Sequence, residues 1–195
     1  MTAFRKPQVA LTSKAAPFAI RSERAVDVAM REALLDACFG KNRHDRTCQR
    51  LRDGRAPAAG LALSAMREGK LVGTVRLWHV SAGGRPALVL GPLAVDPACR
   101  ELGIGAALMN QALAAARARG HDAVILLGDA PYYARFGFSA EKTGALLLPG
   151  PFERERLLAI EFQTGALDGA EGMIVPTGAA QPKRRVVRAL QAHAA

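Results

Sequence analysis

Apolar stretches and polar turns succeed one another from Pro17 to Phe162 in a rhythm that mixes strand and helix periods. Pro17 to Arg21 predicts a short strand. Ser22 then stands as an N-cap before Glu23 to Phe39, where Val26, Met30, Leu34 and Ala37 recur at helical spacing and Gly40 supplies the stop. The charged stretch Asn42 to Arg52 predicts a second, shorter helix ended by Gly54. Leu61 to Arg67 and Leu71 to Val80 are strand-like and are joined by Glu68-Gly69-Lys70, which is hairpin chemistry, so part of the sheet is antiparallel. A Gly-rich turn, Ser81 to Arg85, leads into Pro86 to Val95, whose apolar run is too continuous for a strand with one face in water. That strand is expected at the centre of the sheet. Gly103 to Arg119 is rich in Ala and Leu and stops at Gly120, and Ala123 to Leu127 follows as a buried strand. Strand, long loop, helix and strand make a βαβ unit. Beyond it, Pro131 to Phe136 predicts a short helical turn, Phe138 the start of another strand and Leu157 to Phe162 the last strand.

Composition narrows what such a chain can be. At 195 residues, half of them hydrophobic and 23% charged, it can bury one full core as an α/β (α+β) domain. The division expected is a flexible segment 1–16, a domain 17–175 and a basic, mobile tail 176–195 that holds Pro182-Lys183-Arg184-Arg185. Pro86 to Val95 is about half the length of a membrane span and is interrupted by Gly91 and Pro92, so no membrane partner is expected. Residues 1–16 carry scattered cations without a compact apolar block, which points to the cytoplasm. Cys38, Cys48 and Cys99 are odd in number and lack CxxC spacing, which supports neither a disulfide framework nor a metal site. A net charge of +10 invites nucleic acid, but aromatics are only 5% of residues and no DNA-reading spacing occurs. Nucleic acid is therefore not expected as the primary partner, and a cleft for one polyphosphorylated cofactor explains the basic balance as well.

The chemistry concentrates in Cys99-Arg100-Glu101-Leu102-Gly103-Ile104-Gly105-Ala106, between the central strand and its helix. Its glycines allow close backbone approach, and the exposed N–H groups and dipole of a helix start favour a phosphate. A P-loop would need Gly-Lys-Ser/Thr, which is absent. A dinucleotide fingerprint would need a small residue where Leu108 stands and a turn directly after the strand.

Taken in order, Leu93-Ala94-Val95, Arg100-x-x-Gly103-x-Gly105-Ala106, a long helix, a strand and Tyr133-Ala134-Arg135-Phe136-Gly137-Phe138 resemble the GNAT superfamily of N-acetyltransferases. More narrowly, Leu90 to Val95 and Gly128-Asp129-Ala130-Pro131-Tyr132-Tyr133 are similar to its YhbS-like branch. The resemblance implies a mixed, splayed central β-sheet flanked by helices, with acetyl-CoA as cosubstrate and no metal. It implies that Leu93, Ala94 and Val95 run along the pantetheine arm, with the backbones of Leu93 and Val95 pairing to it as an added strand would. Arg100, Glu101, Leu102, Gly103, Ile104, Gly105 and Ala106 would hold the pyrophosphate, and Tyr133 would protonate the departing thiolate. The residues agree as far as they go: Gly91-Pro92 inside a strand cannot be regular ladder, and a bulge there splays a sheet.

Acetyl transfer to an amine needs a neutral nucleophile, oxyanion stabilisation and a proton for the thiolate. A phenol of reference pKa about 10 suits the last task, with Tyr132 the rival to Tyr133. His79, Glu68, Asp96 and Asp129 are the bases open by type. Leu146, Leu147, Leu148 and Phe152, around Pro149-Gly150-Pro151, are expected to line the acceptor side. The partner expected is a small-molecule or peptide amine, with a homodimer left open. The alternative from another class is a non-catalytic module that senses acetyl-CoA or CoA.

Overall fold

The computed structural model describes residues 17–181. Eight strands form one open mixed sheet: β1 (Ala19–Ser22), β2 (Ala62–Arg67), β3 (Lys70–Ala82), β4 (Arg85–Val95), β5 (Ala123–Leu127), β6 (Leu146–Leu147), β7 (Leu157–Glu161) and β8 (Gly172–Pro176). The main path runs β1-β2-β3-β4-β5-β7, while β8 pairs with the far end of β3 and with β6. All pairs on the main path are antiparallel except β4 with β5. The expected hairpin joins β2 to β3 through Glu68 and Gly69, both at positive φ, the backbone that a two-residue turn between right-twisted strands demands.

Three helices flank the sheet: α1 (Val28–Phe39), α2 (Ile104–Ala118) and α3 (Ala130–Ala134). α2 lays Ile104, Leu108, Met109, Ala112 and Ala116 on one face, against Val75, Leu77, Leu88 and Leu90, all of them buried. On the opposite face α1 buries Leu34 and Leu35 against Leu71 and Ala94. No helix of the described residues is long and apolar enough to cross a membrane.

Several local expectations are corrected. Ser22 ends β1 instead of capping a helix; a 3-10 turn, Ala25–Asp27, precedes α1, and Asp27 stands at the N-cap position with its carboxylate turned back to Arg21 and Arg24 N–H. The buried face of α1 carries Arg31, Leu34 and Leu35, whereas Val26 and Met30 are exposed. The reason is electrostatic: Arg31 turns toward the sheet to share the Glu23 carboxylate with Arg76 of β3, and all three side chains are largely buried. The expected second helix is two 3-10 stretches, Lys41–Asp45 and Thr47–Leu51, broken by extended backbone at Arg46. Phe138 begins no strand; it is buried in the core, and Ser139 makes one isolated bridge to Ala159. Thr177 and Gly178 donate to His79 O, and Gln181 to Gly54 O, so the chain lies on the body of the domain as far as Gln181. The expected segment 1–16 and the basic residues 182–195 lie outside the described residues.

Asp27 is fully buried and accepts from both terminal nitrogens of Arg21, at 2.6 and 2.8 Å, and from Arg24 N–H. The Arg21 hydrogen bonds hold its carboxyl at about 2. A carboxylate depressed on folding stabilises the native state above its unfolded pKa near 4, and that contribution is lost as pH falls toward 2. Asp27→Asn should cost about 2 kcal/mol at neutral pH and flatten the stability profile between pH 4 and 2, measured by urea unfolding. An unchanged acid limb would refute the assignment.

Candidate active site

β4 and β5 pair only at Leu88↔Val124 and Val89↔Ile125, and then part. The divergence begins where β4 departs from regular ladder. Val75 faces Leu93 and Leu77 faces Leu90, so Gly91 and Pro92 together stand opposite the single residue Arg76, a bulge as the Gly-Pro pair predicts. Gly91, at φ +140, takes a backbone that few other residues adopt, and its carbonyl accepts from the Trp78 indole N–H at 2.6 Å. Past the bulge the ladder with β3 resumes: Ala94 faces Thr74, and Asp96 N–H donates to Val72 O at 2.9 Å. Strand alternation then turns the peptide groups of Leu93 and Val95 away from β3, into the gap that β5 has left. The Cys38 thiol of α1 reaches Val95 O at 3.4 Å.

At the end of β4 the expected long loop is a 3-10 turn, Pro97–Leu102, capped by Asp96 accepting from Ala98 N–H at 2.9 Å. Gly103, at φ +73, redirects the chain into α2. The first bond inside α2 runs from Ala107 N–H to Gly103 O, so the N–H groups of Ile104, Gly105 and Ala106 precede it at the positive end of a 15-residue helix. Ile104 and Cys99 are buried and Leu102 half-buried, which anchors this segment, while Arg100 and Glu101 are exposed and Ala106 half-exposed. The Tyr132 hydroxyl lies 3.2 Å from the point where a Gly105 side chain would begin, and Val95 at 3.6 Å.

Between the parted strands lies a cavity of 840 Å³. β4 gives it Leu90 to Leu93, β5 gives Leu126 and Leu127, and α3 gives Tyr132 and Tyr133. Tyr133 packs its ring on Gly128 so closely that any side chain there would overlap it at 2.2 Å, and it meets Phe138 and Tyr132 edge-on. Burial, with Tyr132 and Asp129 adding to it, raises its phenol to about 12. Of the four bases open by type, only Asp129 lines the cavity. Glu68 sits in the β2–β3 turn, Asp96 caps the 3-10 turn, and His79 faces His121 at the closed end of the wedge. Of the four residues expected on the acceptor side, only Phe152 lines the cavity, with Pro151 beside it; Leu146 and Leu148 are core, and Leu147 faces outward. Sequence reasoning missed Arg52 and Glu153 on the cavity wall, because a single charge in a polar segment carries no periodic signal.

The family model of the acetyltransferase (GNAT) family matches residues 28–138, from the start of α1 to Phe138. The chain belongs to this family. The Escherichia coli K12 protein named uncharacterized N-acetyltransferase YhbS is 29% identical over 157 residues, 80% of this chain and 93% of that protein. A second, the uncharacterized N-acetyltransferase YjhQ of the same organism, is 32% identical over 104 residues, 51% of this chain and 58% of that one. The solved structure of Escherichia coli YhbS in complex with CoA superposes with a TM-score of 0.72 at 28% identity, covering 85% of this chain and 93% of that one. A GNAT family acetyltransferase from Brucella melitensis in complex with acetyl-CoA gives 0.56 at 29% identity, over 78% and 99%.

The half-buried Tyr133 phenol, raised to about 12, should stay protonated through pH 11. With tyrosine labelled at ¹³Cζ, the resonance that Tyr133→Phe removes should show no titration below that pH. A midpoint near the reference value of about 10 would mean that the ring is open to water.

Proposed function

We propose that this chain is an acetyl-CoA-dependent N-acetyltransferase that acts by direct attack of an amine in a ternary complex. The observation that carries this reading is the wedge between β4 and β5. Its wall carries the outward-facing peptide of Leu93 and the half-buried Tyr133 phenol, and Tyr132, on the same wall, brings its hydroxyl to the N-terminus of α2. In this reading the N–H groups of Ile104, Gly105 and Ala106 hold the pyrophosphate, Arg100 adds a charge-assisted donor from outside, and the Tyr132 hydroxyl stands beside them. Leu93 and Val95 offer alternating donors and acceptors to the amide-rich arm, as a strand offers them to a neighbour.

The thioester supplies an activated acetyl carbonyl. Asp129, on the wall beside the two tyrosines, takes a proton from the acceptor amine, directly or through one water. The neutral nitrogen attacks the carbonyl carbon, backbone N–H groups of β4 bear the oxyanion, and the C–S bond breaks as the Tyr133 phenol gives its proton to the sulfur. A phenol raised to about 12 is protonated at every working pH, so it starts each cycle as the acid. The attacking nitrogen loses its second proton, through water, to the Tyr133 phenolate, and the proton held by Asp129 leaves to solvent, which restores the site. The different aims of the two tyrosines support different tasks for them, since the Tyr132 hydroxyl reaches the helix terminus while the Tyr133 ring packs on Gly128 and Phe138. We place the activity in the cytoplasm on the character of the sequence.

Two substitutions test the halves of this reading. Gly105→Val fills the space between Val95 and the Tyr132 hydroxyl, and it should weaken CoA binding by at least about tenfold in calorimetry, about 1.4 kcal/mol, without unfolding the protein. Tyr133→Phe should keep CoA affinity and lower kcat for thiol release by about 10²- to 10⁴-fold, the ordinary worth of general-acid help. Full CoA affinity in folded Gly105→Val would displace the pyrophosphate from α2. Full turnover in Tyr133→Phe would pass the proton to another group.

A further inference from the structure

Arg52 stands apart from the other cations of the cavity. Arg43 is spent on Glu32 and Asp36, Arg156 pairs with Glu153 at 3.7 Å, and Arg46 is exposed and stacks on Phe39. Arg52 donates only its Nε, to Cys48 O at 3.1 Å, and forms no ion pair among the described residues. The neighbouring Asp53 is taken by the Gln49 amide at 2.6 Å. Its Nη1 lies 3.7 Å from the point where a side chain on Gly91 would begin, so the guanidinium lies against the bulge on the cavity wall. Desolvation, with Arg43 and Arg46 adding to it, lowers its pKa despite the nearby Cys48 and Asp53.

The segment that carries Arg52 is fixed. Leu51 is fully buried in the cluster that holds Trp78, and Thr47 Oγ1 donates to Pro151 O and Arg50 Nη1 to Pro149 O, each at 2.5 Å. Trp78 in turn holds Gly91 O from below. A half-buried cation on a rigid support at the cavity wall, with its terminal nitrogens unbonded among the described residues, is ready to take an anion. The cosubstrate's own pyrophosphate is not that anion in the reading above. It lies at the start of α2, beyond Val95, four residues along β4 from Gly91 and so about 13 Å away.

Resting on the acetyltransferase reading, we propose that Arg52 binds an oxyanion carried by the acceptor. The acceptor class is then a small amine with a carboxylate or phosphate next to its nucleophilic nitrogen, not a polyamine or plain alkylamine. The planar fork of Arg52 takes either anion through two parallel N–H···O bonds. Phe39 and Phe152 on the same cavity suit an apolar body on that amine.

Matched probes test this on the full chain saturated with CoA: L-phenylalanine against L-phenylalaninamide, and O-phosphoethanolamine against ethanolamine. The readouts are calorimetry and the fluorescence of Trp78, the sole tryptophan, which borders the bulge. In at least one pair the anionic member should bind about tenfold or more tightly, and which pair does so tells carboxylate from phosphate. Arg52→Gln should abolish that preference, and Arg52→Lys should retain part of it, with CoA affinity in each variant reporting that the fold survives. Equal affinity within both pairs, a preference that survives Arg52→Gln, or no binding by either anionic probe would overturn the proposal. Failure of the acetyltransferase reading shows separately, as CoA that does not bind the parent protein or acetyl-CoA that releases no thiol with any amine.

Discussion

At Gly91 and Pro92 two residues of β4 stand where β3 offers one, and the site depends on that mismatch. A parallel pair satisfies its backbone only while its strands stay about 4.8 Å apart. Once β4 turns at the bulge, its peptide groups beyond Leu90 have no partner in β5, and polar backbone in a protein interior has to be satisfied somehow. A regular β4 would have closed that gap with more sheet. The bulge leaves instead a wedge with donors and acceptors along one wall, which is the chemistry an extended polyamide ligand matches.

The rest of the architecture holds the wedge open. α2 fills one face of the sheet and begins beside Val95 and the Tyr132 hydroxyl, so the same helix that seals the core also presents its open N–H groups next to a tyrosine of the cavity wall. The Trp78 indole fixes the Gly91 carbonyl, which keeps the bulge from sliding along β4. On the opposite face the buried Glu23, Arg31 and Arg76 side chains tie α1 to β3 directly opposite the bulge. Such groups contribute little net stability once desolvation is counted, yet removing one would strand the others. Their effect here is to set where α1, and with it Leu35 and Phe39, meets the cavity.

Much of this was legible in the residues because backbone requirements leave few choices. Gly91-Pro92 within an apolar run admits no regular strand, Glu68-Gly69 admits little but a tight turn, and Gly103 with Gly105 marks a helix start that backbone or ligand can approach. The features missed depend on long-range pairing. Gly172–Pro176 is a strand because the far end of β3 pairs with it, and Leu146–Leu147 because β8 in turn pairs with it, while neither segment carries enough pattern alone. The stripe expected on α1 followed hydrophobicity, and the helix turned toward its ion pairs with Glu23 instead. Arg52 looks like any solvated arginine until folding places it against Gly91.

The account stands on β4 acting as one side of an incomplete strand pair. Amide hydrogen exchange followed by NMR with and without CoA measures this most directly. CoA should protect the Leu93 and Val95 amides, while those of Leu88 and Val89, in the stretch already paired with β5, change little. Protection confined to the surface of α2, with Leu93 and Val95 unchanged, would contradict it and place the pantetheine arm outside the wedge.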